Sequence, residues 1–303
     1  MSPNIDATAV VDQLVAHMGE SYVFPECASR AAELLRTRHE QGAYDELSGP
    51  ALCERISADL LEACDDRHLR LIWHETTTAV PDQARLHDEL REQIRRENNG
   101  VRRVELLPDG VGLIELTIIP EASSGGSTLA AAMQLVSDTA ALILDLRATR
   151  GGSPDGVALL SSYLFADGEV HLSDFVEGPS GPTRQYWTSA YLPGSRYLDR
   201  PVCALTSSTT FSGGEALAYD LQAHGRAVIV GETTRGGAHP SVMVPLTGQI
   251  ELRLPVARSV NAVTSRNWEG VGVQPDIAVP ASDALDVALR LVLQATAEVS
   301  VRG

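Results

Sequence analysis

Between Ala140 and Leu146 the chain reads Ala-Ala-Leu-Ile-Leu-Asp-Leu, apolar at consecutive positions rather than at every second one. A strand of that kind is buried on both faces, which calls for helices on either side of a largely parallel sheet. Val202 to Leu205 and Ala227 to Val230 repeat the pattern, with helical segments between them. The sequence therefore predicts an α/β core. Val242 to Pro245 and Ile250 to Pro255 read as paired strands and make the sheet content mixed.

A different pattern precedes this core. Ile5, Val10, Val11 and Leu14 recur at helical spacing behind an Asp6 cap, Ala28 to Arg38 is rich in Ala and Leu, and Ile56, Leu60, Leu61 and Cys64 line one face of a third helix entered through Ser48-Gly49-Pro50. These predict a small helical domain over 1–65, followed by the α/β domain over 66–303. Within the latter, His68 to His74 and Val111 to Leu116 read as strands, Ser127 to Thr139 and Ala284 to Leu293 as helices, and the charged stretch Asp82 to Asn99 as a helix or connection. Internal repeats and low-complexity segments are absent from the sequence.

A chain of 303 residues with 44% apolar and 21% charged residues is an ordinary globular sequence, long enough for two domains. Its net charge of −16 argues against nucleic acid or an anionic membrane as partner, since either demands a basic face. No basic segment followed by an apolar run opens the chain, and no apolar stretch is long enough for a bilayer. Cys27, Cys53, Cys64 and Cys203 show neither C-x-x-C nor Cys/His metal spacing, so buried free thiols are expected, with no structural zinc and no disulfide scaffold. The expected compartment is the cytoplasm.

Ser212 stands where the apolar run Val202 to Leu205 passes through hydroxyl residues into Gly213-Gly214-Glu215 and a helix. A serine there would lie beside first-turn amides that lack intrahelical acceptors, at the positive end of the helix dipole. That is where a nucleophile gains an oxyanion site. Equally, Ser212-Gly213-Gly214-Glu215 is an S-x-x-E capping box, in which serine only caps the helix. Four further segments carry chemistry-bearing residues, each with a plain structural explanation. Asp65-Asp66-Arg67-His68 places a histidine at a helix-to-strand junction, and Asp145 to Gly152 ends a strand in paired glycines that make either a turn or an anion nest. Gly231 to Pro240 is a glycine-rich loop, and Asn267 to Asp276 is a turn containing Glu269.

In order and spacing these segments, with Tyr22-Val23-Phe24-Pro25-Glu26, resemble the C-terminal-processing (tail-specific) serine peptidases. The branch most similar is that of the interphotoreceptor retinoid-binding protein repeats and the tricorn protease core. The resemblance runs over nearly the whole chain. It implies a crotonase-like/ClpP-like core of stacked βα units with Ser212 as nucleophile. The oxyanion hole would then come from Gly213 and the Gly151-Gly152 turn.

Two departures from the family pattern bear on mechanism. Ser–Lys members carry a general-base lysine where this chain has Gly237, 25 positions after Ser212 (237 − 212 = 25). The tricorn-like arrangement instead implies His68 as base and Glu269 as the acid behind it. A neutral imidazole can take the serine proton and return it to the leaving group while a carboxylate fixes its tautomer. His239 is the competing base, and His74 a candidate for lining substrate. The second departure is that only about forty residues, Trp73 to Gly112, occupy the interval where processing peptidases insert a PDZ module, so no PDZ domain is expected. Short peptides or peptide-like metabolites are then the expected substrates, with no metal or organic cofactor, and self-association is left open. Two rivals share the fold: an acyltransferase or cyclase using the same acyl-enzyme, and a non-catalytic carrier of hydrophobic ligands.

Overall fold

The structure is a computed structural model that describes residues 5–76, 83–166, 169–179 and 181–302, the side chains of 83–87 and 298–302 excepted. Along the chain run α1 (Ala7–Ser21), α2 (Pro25–Glu40), α3 (Gly49–Cys64), β1 (Arg70–Trp73), α4 (Gln83–Arg96), β2 (Val101–Leu107), β3 (Val111–Leu116), α5 (Ala122–Leu135), β4 (Ala141–Asp145) and α6 (Pro154–Ser162). There follow β5 (His171–Glu177), β6 (Thr183–Trp187), β7 (Val202–Thr206), α7 (Gly213–Ala223), β8 (Val228–Gly231), β9 (Ser241–Pro245), β10 (Ile250–Pro255), β11 (Ala257–Asn261), β12 (Ile277–Ala278) and α8 (Ala284–Arg302). The fold is α/β with a mixed sheet, as the patterning requires.

Two compact units divide the chain. The first comprises Met1–Leu86, Phe175–Arg184 and His239–Ser259. Asp6 caps α1 by accepting the Ala9 amide at 3.1 Å, and Asp65 ends α3 in the left-handed region at φ 50°. The buried stripe of Val10, Leu14, Leu35, Ile56 and Leu60 packs with Leu71 of β1 and Leu252 of β10. β1 and β9 flank β10 in an antiparallel sheet, with Leu71 opposite Leu252 and Leu252 opposite Val244. The strand expected from His68 begins only at Arg70, because Leu69 donates to the Asp66 carbonyl and closes a turn over Asp66 to Leu69.

The second unit comprises His87–Asp174, Gln185–Ala238 and Val260–Gly303. Its six-stranded sheet has the order β12-β8-β7-β4-β3-β2, parallel from β12 to β3 with β2 antiparallel at the edge. β4 is buried at every position, as its uninterrupted apolar run predicts. Leu142 and Leu144 pack among Leu129, Leu160 and Leu217 of α5, α6 and α7, whereas Ala141 and Ile143 meet Ala284, Ala288 and Val292 of α8 on the opposite face. α5 starts at Ala122 rather than Ser127 and α8 continues to Arg302. The order β11-β5-β6 forms a further three-stranded sheet.

No helix among the described residues is long and apolar enough to cross a membrane. The four cysteines are free thiols, as expected, although Cys27 and Cys64 are half-buried rather than buried.

Asp220 sits on the buried face of α7 beside Leu217 and Leu221, accepting the Asn261 side-chain amide at 2.8 Å. Burial pushes its carboxyl up to about 7, against the opposing pull of the Asn261 hydrogen bond. Since the folded state keeps this proton after the unfolded chain has released it, the stabilisation is full below the ordinary Asp range and is lost as pH rises through about 7. Asp220→Asn should therefore flatten the decline of Tm between about pH 4 and 7. Thermal denaturation of both proteins across that window checks it; parallel curves would contradict it.

Candidate active site

The hydroxyl residues after β7 fasten the loop to the neighbouring strand end. Ser207 Oγ donates to the Arg147 carbonyl at 2.7 Å and Thr210 Oγ1 to the Leu146 carbonyl at 2.9 Å, while the Phe211 amide donates to Thr149 at 3.0 Å. Ser212 then enters α7 at φ 50°, ψ −111°, outside the regions open to an L-residue. Such a conformation costs about 1–3 kcal/mol and persists only where the surroundings over-determine it. Here they do. The Ser212 amide donates to Glu215 Oε2 at 2.7 Å, and its carbonyl accepts the Ala216 amide at 2.8 Å.

Glu215 is fully buried and receives four hydrogen bonds. Oε1 accepts Thr234 Oγ1 and the Gly236 amide, each at 2.6 Å; Oε2 accepts the Ser212 amide at 2.7 Å and the Gly237 amide at 3.0 Å. Burial raises its carboxyl above the ordinary Glu value, with these four donors pulling the other way. The carboxylate half of the Ser-x-x-Glu box is made to the Ser212 backbone amide.

Across from this turn lie Gly151 and Gly152, at φ 140° and 150°. A Cβ at position 213 would stand 2.8 Å from the Gly152 nitrogen, and one at 151 would stand 3.4 Å from Ser212 Cβ. At 213 only glycine permits this approach, and at 151 and 152 the positive φ favours glycine. The Gly152 and Gly213 amides donate to no acceptor among the described residues, whereas the Ser212 amide is consumed by Glu215. The structure thus brings the Ser212-Gly213 and Gly151-Gly152 turns together.

Glu269 belongs to the same unit. Its carboxylate accepts the Ala238 amide at 2.5 Å, and its own amide donates to Asn267 Oδ1 at 3.1 Å. The Gly-Val-Gly-Val-Gln-Pro-Asp segment behind it is structural: Val273 donates to Thr234 Oγ1 at 2.7 Å, and Asp276 accepts the Ile229 amide at 2.7 Å.

The histidines lie in the other unit. His68 and His239 are both buried and share Asp66, a carboxylate that sequence reasoning gave no role. Asp66 Oδ2 stands 3.2 Å from His239 Nδ1 and accepts the Tyr22 hydroxyl at 3.0 Å; Oδ1 accepts the His68 amide at 2.9 Å and stands 3.9 Å from His68 Nδ1. Burial by itself would raise Asp66, but His239, the His68 amide and the Tyr22 hydroxyl together hold it below the usual Asp range. Its two-residue spacing from His68 was the available signal. His74 is placed elsewhere, its Nε2 engaged by Glu251 Oε2 at 2.8 Å.

A half-buried serine on a strand-to-helix turn beside two glycine-borne amides is an arrangement that serine-type peptidases use. The model of peptidase family S41 matches residues 110–279, more than half of the chain, and the chain belongs to that family. Carboxyl-terminal-processing peptidase 2, chloroplastic, of Arabidopsis thaliana is 28% identical over 175 residues, 57% of this chain and 32% of that protein. The chain thus spans about a third of that relative's length. In fold it is similar to a lipoprotein from Streptococcus agalactiae (TM-score 0.64, 14% identity, 96% and 97% of the two chains covered) and to the tricorn protease (0.57, 11%, 95% and 37%).

Each Glu215 oxygen faces two donors, so a Glu215→Gln side chain must turn its NH2 toward N–H or O–H groups in either orientation. The variant should lose about 1–3 kcal/mol of stability. Chemical denaturation checks this; a variant as stable as the parent would contradict it.

Proposed function

We propose that the protein is a serine hydrolase that cleaves short peptides or peptide-like metabolites through an acyl-enzyme on Ser212. The observation that carries this reading is the strained Ser212 turn, beside which the Gly152 and Gly213 amides donate to no acceptor among the described residues. Ser212 Oγ attacks the scissile carbonyl carbon as His68 takes its proton; the oxyanion is held by Gly213 with Gly151 or Gly152. Collapse breaks the C–N bond, His68 protonates the leaving amine, and water repeats the sequence to release the acid. Glu269 orients His68. The chemistry as written uses neither metal nor organic cofactor.

His239 is the second reading for the base, favoured by its 3.2 Å approach to Asp66 against 3.9 Å for His68. Short substrates are favoured because the described part of the interval between β1 and β3 is taken by α4 and β2, the latter an edge strand of the main sheet. Four free thiols suit a reducing compartment, and we assign the enzyme to the cytoplasm.

Turnover of a peptide library read by mass spectrometry should vanish in Ser212→Ala and fall about 10²–10⁴-fold in His68→Ala. Glu269→Gln should lower kcat with KM nearly unchanged. Loss in His239→Ala with His68→Ala active would transfer the base role to His239. Amide or ester products in place of acids would make the enzyme an acyltransferase or cyclase. Stoichiometric binding of a hydrophobic ligand without turnover would make it a carrier.

A further inference from the structure

We propose that Asp66, His68 and His239 form a binding site for a divalent transition-metal cation of the Zn2+ type, and that occupancy of this site switches hydrolysis off. The switching half rests on the reading of His68 as base; the site itself does not.

Both imidazoles turn Nδ1 toward the same carboxylate. Their nitrogens lie 3.2 and 3.9 Å from its two oxygens, and one ligand atom from each of the three residues lies within 4.8 Å of the others. Tetrahedral Zn2+ holds nitrogen and oxygen ligands at about 2.0–2.2 Å, which separates neighbouring ligand atoms by about 3.3–3.6 Å. The observed separations bracket that figure, so a cation could be seated with small side-chain rotations. Two histidines and one carboxylate are moreover a ligand set that zinc accepts.

The surroundings suit a cation as well. All three side chains are more than nine-tenths buried, and the Tyr22 hydroxyl donates to Asp66 Oδ2 at 3.0 Å, orienting the carboxylate as an outer-shell partner does. His74–Glu251 and His171–Asp174 are two-ligand pairs, and no separate cluster of three or more such ligands occurs among the described residues. The separation of 173 positions between Asp66 and His239 explains why ligand spacing in the sequence gave no sign of the site. A cation there displaces the proton from the Asp66–His239 contact and occupies the ring that must accept the Ser212 proton.

Calorimetric titration of the full chain with Zn2+ alone, without substrate, tests the site. We expect one ion per chain, retained in Ser212→Ala and His171→Ala, and weakened at least about 10–100-fold in His239→Gln and in Asp66→Asn. Co2+ in place of Zn2+ should give the visible absorption of a tetrahedral ion in the unsubstituted protein, a readout that does not depend on the variants folding. Absence of stoichiometric binding, an octahedral Co2+ spectrum, or affinity indifferent to these substitutions overturns the proposal. Peptide turnover is measured in parallel and should fall with occupancy and return with chelator. Binding as expected with turnover unaffected overturns the switching half and His68 as base. Binding as expected in a protein that never turns over peptide leaves the site standing and fails the hydrolase reading instead.

Discussion

The Glu215 carboxylate is the constraint on which the Ser212 turn depends. A buried acid is costly unless its lone pairs are filled, and here four donors fill them: one from the Ser212 backbone and three from the loop that follows β8. The hydrogen bond to Ser212 holds a backbone conformation that an unsupported serine would leave, releasing about 1–3 kcal/mol of local strain. It also decides which amides remain for chemistry. With the Ser212 amide committed to Glu215, the donors left at the turn are Gly213 and the opposed Gly151-Gly152 pair.

The rest of the second unit keeps that turn in place. β7 and β4 are parallel neighbours, with Leu205 beside Asp145, so the two strands end together and deliver the Ser212 and Gly151-Gly152 turns to one edge. Hydroxyls of Ser207 and Thr210 tie the two strand ends to each other. The absence of a Cβ at 213 lets its backbone approach Gly152 to a distance at which a side chain would collide. Rigidity at this edge thus comes from hydrogen bonds to backbone carbonyls more than from side-chain packing, which is why polar residues are concentrated there.

Much of this was legible in the sequence. Uninterrupted apolar runs marked β4, β7 and β8, and S-x-x-E marked the start of α7, because both signals arise from neighbours along the chain. What stayed hidden depends on distant pairings. The antiparallel pairing of β1 with β10 brings Arg70 opposite Arg253 and His74 beside Glu251, and local periodicity carries no record of it. The same holds for Asp66 and His239. The turn over Asp66 to Leu69, which shortens the expected strand, is likewise set by one hydrogen bond that alternation cannot reveal. Asp66 itself was visible as the first residue of Asp-x-His, yet its service to two histidines emerges only when a loop 173 residues away returns to it.

Intact-mass measurement of the protein after exposure to an electrophilic phosphonate at neutral pH tests the central claim most directly, since the adduct copies the charged tetrahedral intermediate in shape and charge. A working turn gives one adduct per chain, located on Ser212, absent in Ser212→Ala and formed much more slowly in Glu215→Gln. No adduct, or one spread over several serines and indifferent to Glu215, would show that the turn is only a helix cap.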